Sequence, residues 1–222
     1  MGWSARRHNC SRSALAWDGW IGHSVPMTGG LAASDGAVEP ALIVLVSGPP
    51  GAGKSTIARR VAEGFERSAH LKVDDLREIM VNGFDPPGPE WTAGNEQQCV
   101  RARAAATLIA RLHVADGVTM VIDDVCVPAH FEDHYVDLFA EPRVHRVMLK
   151  PTWAALEARM RARAGPWDEL LLSSGAAAWC YGGLERLTLK DWVVVDSSDQ
   201  SADETVDEVR KALARSSTEP RT

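Results

Sequence analysis

Residues 42–56 read Leu42-Ile43-Val44-Leu45-Val46-Ser47, followed by Gly48-Pro49-Pro50-Gly51-Ala52-Gly53-Lys54-Ser55-Thr56. The first six form an almost unbroken apolar, β-branched run, the pattern of a strand buried on both faces of a parallel sheet. From Gly48 the chain fits G-x-x-x-x-G-K-[ST] at every fixed position. Ile57, Val61 and Phe65 then recur at helical spacing and predict a helix from Lys54 to about Arg67. Strand, glycine turn and helix in this order make a phosphate cradle. Glycines at 48, 51 and 53 let backbone N–H groups approach phosphate oxygens with no Cβ in the way. Pro49, Pro50 and Ala52 complete the turn, and the helix that opens at Lys54-Ser55-Thr56 adds the positive end of its dipole. Lys54 suits the β- and γ-phosphates, and the Ser55 hydroxyl suits Mg²⁺. The expected ligand is a nucleoside triphosphate.

The chain has 222 residues, 45% of them apolar, enough for one domain with a substantial core. A net charge of −6 argues against a nucleic-acid-binding surface. Cys10, Cys99, Cys126 and Cys180 are widely spaced, the usage of free thiols in a reducing cytoplasm. No run of 18 apolar residues exists, so no membrane-spanning helix is expected. Residues 1–39, rich in Gly, Ser, Ala and Arg, read as a disordered or loosely attached extension. Arg6-Arg7 lacks the apolar stretch of an export signal, and Met27 is an alternative start. The domain then spans 40–216, with 217–222 as a frayed tail.

Along the domain, His70-Leu71-Lys72-Val73 predicts a second strand ending in Asp74-Asp75, with a helix from Leu76. A carboxylate at the carboxyl end of a strand beside the phosphate loop lies where ligands bind in open α/β sheets. Asp74 is the candidate base for an acceptor hydroxyl; the alternative is a helix cap, a role Asp75 fills at least as well. The Pro/Gly-rich residues 82–94 predict a loop covering the substrate. Asn95–Ala115 reads as a helix whose inner stripe is Val100, Ala104, Leu108 and Leu112, with Arg101 and Arg103 also on it.

Gly117–Asp124 predicts a third strand ending in acids, the Walker-B pattern, with Asp123 for Mg²⁺ and Asp124 to orient the acceptor. Pro128–Phe139 predicts a short helix on which His130 and His134 are solvated or packed rather than metal ligands. Val144–Leu149 is a fourth strand. Thr152 caps a basic helix on which Arg159 and Arg163, four apart, share a face suited to a lid over phosphate. Trp167–Ala178 is read as helical, Asp191–Ser198 as the fifth strand with its exit loop, and Ser201–Glu204 as the capping box of the closing helix.

These motifs resemble the small P-loop kinases of the chloramphenicol phosphotransferase and zeta-toxin type. The likeness rests on Gly48–Thr56, Val73–Arg77, Ile122–Val125, the arginines of 159–163 and Val195–Ser198, and covers about residues 41–214. It implies a three-layer αβα fold, nucleoside-monophosphate-kinase-like, with a parallel sheet of about five strands and a small helical lid. It also implies ATP and Mg²⁺ as cofactors and a small-molecule hydroxyl acceptor. Asp74, Lys54, Arg159 and Arg163 would be catalytic; Asp75, Arg77, Arg101 and Asp124 would meet the acceptor; Ser55 and Asp123 would hold the metal. Antibiotics, sugar nucleotides as in zeta toxins, and a nucleotide switch without transfer chemistry stand as alternatives. Lys72, Pro49-Pro50 and segment 83–94 depart from the family pattern, so the resemblance carries the reaction class and not the acceptor.

Overall fold

The computed structural model describes residues 40–86, 91–125, 132–185 and 189–218. Five strands form one parallel sheet: β1 (Ile43–Ser47), β2 (Ser68–Lys72), β3 (Thr119–Asp124), β4 (Val144–Leu149) and β5 (Val193–Val195). Their spatial order is β2-β3-β1-β4-β5. The central strand β1 pairs with β3 through Val46↔Asp123 and with β4 through Val46↔Val147. This order puts the chain reversal between β1 and β3, where open α/β sheets bind ligands.

Alternation along β1 divides the core. Ile43 and Leu45 pack with Met120, Ile122 and Met148 against α3 (Ala93–Ala115), through Ala102, Ala106 and Ala110. Val44 and Val46 point the other way, onto Ile57 and Val61 of α1 (Lys54–Ala62) and Val206, Val209 and Leu213 of the closing helix. The sheet is therefore covered on both faces, the three-layer arrangement expected for a buried parallel sheet.

Several boundaries differ from the sequence expectation. The first helix stops at Ala62, ahead of Gly64, rather than near Arg67. Helix α2 (Val73–Glu78) begins three residues early, because Asp74 and Asp75 fall in its first turn and favour its positive end. Asp74 thus sits in that first turn, and the N-cap of the helix is Lys72 rather than Asp74 or Asp75. The region 128–139 is described only from Glu132: a 3₁₀ turn over Glu132–Tyr135 and α4 (Val136–Phe139); His130 lies outside the described residues. After α5 (Trp153–Arg163), capped by Thr152, come α6 (Asp168–Ser173) and α7 (Ala176–Glu185). The single helix read over 167–178 is split at Gly175, whose φ is +76°. Strand β5 shrinks to three residues, and α8 (Ala202–Thr218) continues past Ser216 behind its Ser201–Glu204 capping box.

The inner stripe of α3 is a correction of substance. Val100, Leu108 and Leu112 are 42%, 60% and 69% exposed, while Asn95, Cys99, Ala102, Arg103, Ala106 and Ala110 face inward. Small alanines let the helix lie close to the sheet, and polar residues on the same face serve the site below.

Candidate active site

The phosphate loop is built from backbone conformations that only glycine holds easily. Gly51 has φ +82° and Gly53, the N-cap of α1, has φ +90°. Gly51 also carries a packing constraint, since a Cβ there would lie 2.6 Å from Met160 Cγ of α5. The loop is thereby keyed to α5.

Around this loop lies a cavity of about 270 Å³ lined by Pro50, Gly51, Lys54 and Ser55 on one side and Asp74, Arg77 and Asp124 on the other. Asp123, Arg103 and Arg163 line it too, and Phe84, Trp91 and Trp167 give it aromatic walls. Sequence reading placed Lys54, Ser55, Asp74, Arg77, Asp123, Asp124 and Arg163 in one site, and the fold brings all of them together.

Ser55 Oγ donates to Asp123 Oδ1 at 3.1 Å, so hydroxyl and carboxylate face one point, as a divalent cation shared with triphosphate oxygens requires. Among the described residues no three His, Cys, Asp or Glu side chains cluster into a self-sufficient metal site. The donor set fits Mg²⁺ only with phosphate oxygens and water completing it. The other Asp123 oxygen is bonded to His70 Nε2 at 2.6 Å, which fixes the carboxylate's rotation. Lys54 Nζ donates to Pro49 O at 3.1 Å; burial pulls its pKa down while Asp123, Asp74 and Asp124 pull it up.

Asp74 is the carboxylate with chemistry to spare. Its side chain is 62% exposed and its nearest cation is Arg77 Nη1 at 3.6 Å. Partial desolvation and then the negative charge of Asp124 raise its pKa above the ordinary carboxylate value, against the opposite pull of Lys54 and Arg77. A carboxylate so raised is a better proton acceptor than a solvated one.

Asp124 is held for a different purpose. Its Oδ2 accepts from Arg103 Nε at 2.6 Å and from Tyr135 Oη at 3.0 Å, with both charged side chains no more than 4% exposed. Burial alone would lower the Arg103 pKa, but Asp124's charge and hydrogen bond raise it, so the guanidinium stays charged. Arg103 also donates to Val125 O at 3.0 Å and bonds His134 Nδ1 at 2.8 Å. A guanidinium only donates, so Nδ1 accepts and Nε2 carries the proton shared with Glu96 Oε1 at 2.7 Å. Glu96 in turn accepts from Trp91 Nε1 at 2.7 Å, tying the cavity's aromatic wall to its floor.

Three expected site residues are elsewhere. Arg101 points outward to Gln97 at 3.2 Å; the buried arginine of that helix is Arg103. Asp75 is exposed and pairs with Lys72 at 4.0 Å. Arg159 turns away from the cavity toward the loop after β5, donating to Ser198 O at 3.2 Å and to Ser197 O. Those carbonyls hold Arg159, whereas Arg163, one turn further on and tied to Asp168, lines the cavity. Sequence reasoning missed His70, Tyr135 and Asp168. Arg103 had a signal, since it shares a face with Cys99, Ala106 and Ala110.

Residues 43–171, 129 of the 222, match the family model described as an AAA domain. No curated protein sequence matches the chain. Among solved structures, a sugar kinase from a Janibacter species is 22% identical at a TM-score of 0.56, the match covering 79% of this chain and 95% of that one. A gluconokinase from Sinorhizobium meliloti is 22% identical at 0.54, covering 79% and 93%. A tunicamycin resistance protein from Deinococcus radiodurans is 13% identical at 0.55, covering 81% and 97%. At these identities the likeness is one of fold: a P-loop, nucleotide-kinase-like αβα sheet. Among the described residues no helix is long and apolar enough to cross a membrane.

Proposed function

The chain belongs to the AAA domain family, and from that premise we propose an ATP-dependent phosphotransferase that moves the γ-phosphate onto a hydroxyl of a small molecule in the cytoplasm. One observation carries the reading. The proton-accepting carboxylate, Asp74, and the phosphate-loop groups Lys54 and Ser55 line the same cavity. A phosphoryl-transfer enzyme needs little more than alignment, charge neutralisation and a group that takes the hydroxyl proton.

Each residue then has a task. The loop amides and Lys54 would hold the triphosphate, and Ser55 and Asp123 would hold a Mg²⁺ ion that would supply charge neutralisation at the phosphates. Asp74 accepts the acceptor's proton. Asp124, held by Arg103, orients the acceptor with Arg77, and Arg163 faces the transferring group. The aromatic walls suit an acceptor with an apolar or aromatic face, which an antibiotic and a sugar nucleotide both offer. The fold neighbours do not choose between these, since their names span sugar, gluconate and antibiotic-resistance proteins.

The test is a transfer screen over hydroxylated antibiotics, nucleosides, sugars and sugar nucleotides with Mg²⁺·ATP, read as the mass gain of one phosphoryl group. A phosphorylated product is expected from at least one class. ATP binding with no product in any class would leave a nucleotide switch.

A further inference from the structure

Arg163 ends α5 at the rim of the cavity, and its guanidinium is held in place by a carboxylate from the next helix. Ala164 follows in the left-handed region at φ 46°, ψ 39°, its N–H returning to Met160 O at 3.0 Å. The tight turn brings Asp168, the first residue of α6, back beneath Arg163. Asp168 Oδ2 accepts from Arg163 Nε at 2.8 Å and from Gly165 N–H at 2.8 Å, while Oδ1 accepts from Arg163 Nη2. The Asp168 side chain is 3% exposed and the Arg163 side chain 60%. Two guanidinium nitrogens are thus committed to a buried anchor, and Nη1 remains on a side chain that lines the cavity.

The lid helices do not need this clasp to stay together. Leu156 and Met160 of α5 pack with Ala177 of α7 and with Leu171 and Leu172 of α6. Met160 also keys against Gly51, and Arg159 fastens α5 to the loop after β5. What the clasp adds is orientation: a long arginine otherwise samples many rotamers and must be frozen when it meets a phosphate.

We infer that Asp168 is a positioning residue for phosphoryl transfer, holding Arg163 as a pre-set fork whose Nη1 meets the transferring group. This rests on the phosphotransferase reading, but its test does not need the acceptor. An oriented arginine is most valuable toward the planar, charge-spread phosphoryl group and least toward bound ADP. The experiment compares the full-length chain with Asp168→Asn, Arg163→Ala and the double variant. Affinity for Mg²⁺·ADP with aluminium fluoride, a planar phosphoryl mimic, is measured beside affinity for Mg²⁺·ADP alone.

Arg163→Ala is expected to weaken mimic binding about tenfold to a hundredfold, and Asp168→Asn to reproduce most of that loss. The double variant should lose no more than Arg163→Ala, and ADP affinity should stay within about threefold throughout. A clasp that only joins α5 to α6 would weaken ADP and mimic alike; that pattern overturns the inference, as does unchanged mimic affinity in Asp168→Asn. Should Asp168→Asn fail to fold, Asp168→Glu moves the carboxylate by one methylene; a mimic-specific loss supports the assignment and unchanged mimic affinity overturns it. If the expected pattern appears in a chain that phosphorylates no hydroxyl compound, the hydroxyl-kinase reading fails and the Asp168 assignment stands for phosphoryl transfer to water.

Discussion

Replacing Arg103 by Met tests the floor of the site most severely. Arg103 and Asp124 are both nearly sealed from solvent, at 3% and 4% side-chain exposure, and meet at 2.6 Å. Met fills similar volume but leaves Asp124, among the described residues, with the Tyr135 hydroxyl at 3.0 Å as its remaining side-chain donor. Breaking a buried pair by removing one partner costs about 3–5 kcal/mol, because an uncompensated charge stays in low dielectric. For a chain of this length that corresponds to roughly 6–20 °C in Tm. Asp124→Asn added to Arg103→Met removes the stranded charge and should recover about 2 kcal/mol or more of the loss. Urea unfolding of the two single variants and the double one, followed by tryptophan fluorescence and circular dichroism, gives the cycle. A cost below about 1 kcal/mol for Arg103→Met, or purely additive effects in the double variant, would refute a charged and mutually dependent pair.

Gly51→Ala combines a left-handed φ of +82° with a Cβ 2.6 Å from the fully buried Met160, so it should cost about 2–5 kcal/mol in urea unfolding and weaken ATP binding. Gly53→Ala, with φ +90° and nothing within 4 Å, should cost only the backbone share, about 1–2 kcal/mol. Because the Asp74 pKa is raised on folding, the acid limb of kcat/KM should fall above the ordinary carboxylate value of 3.8. The same sign means that Asp74 stabilises the fold only while protonated and loses that contribution as pH rises through its folded pKa. Asp74→Asn should therefore be no less stable than the parent at pH 7, as urea midpoints measured across pH would show. Thr92→Ala removes the cap that accepts from Asn95 N–H at 3.0 Å and should cost about 1 kcal/mol of stability.

The sheet was legible because its signals are local. An apolar run, a glycine turn and a helical period follow one another within 42–65, and the acidic strand end at Asp123-Asp124 repeats the logic next door. The face of α3 was not legible from hydrophobicity, because the side that meets the sheet carries alanines, Cys99 and Arg103 while Val100, Leu108 and Leu112 remain outside. Periodicity counts apolar residues and cannot tell that a buried arginine will find Asp124 twenty-one positions later. The same limit explains Arg159, whose partners are carbonyls of Ser197 and Ser198 across the fold. His70 on Asp123 and Asp168 on Arg163 are products of strand adjacency and of a left-handed turn at Ala164, neither of which leaves a mark in residue spacing.

The measurement that bears most directly on the assigned chemistry is single-turnover transfer from γ-labelled ATP to the acceptor found in the screen, in the parent chain and in Asp74→Asn. Loss of the general base should slow transfer by about 10²–10⁴-fold while Mg²⁺·ATP affinity stays within about threefold. Transfer at the parental rate by Asp74→Asn would contradict the account, because no proton would then pass through that carboxylate.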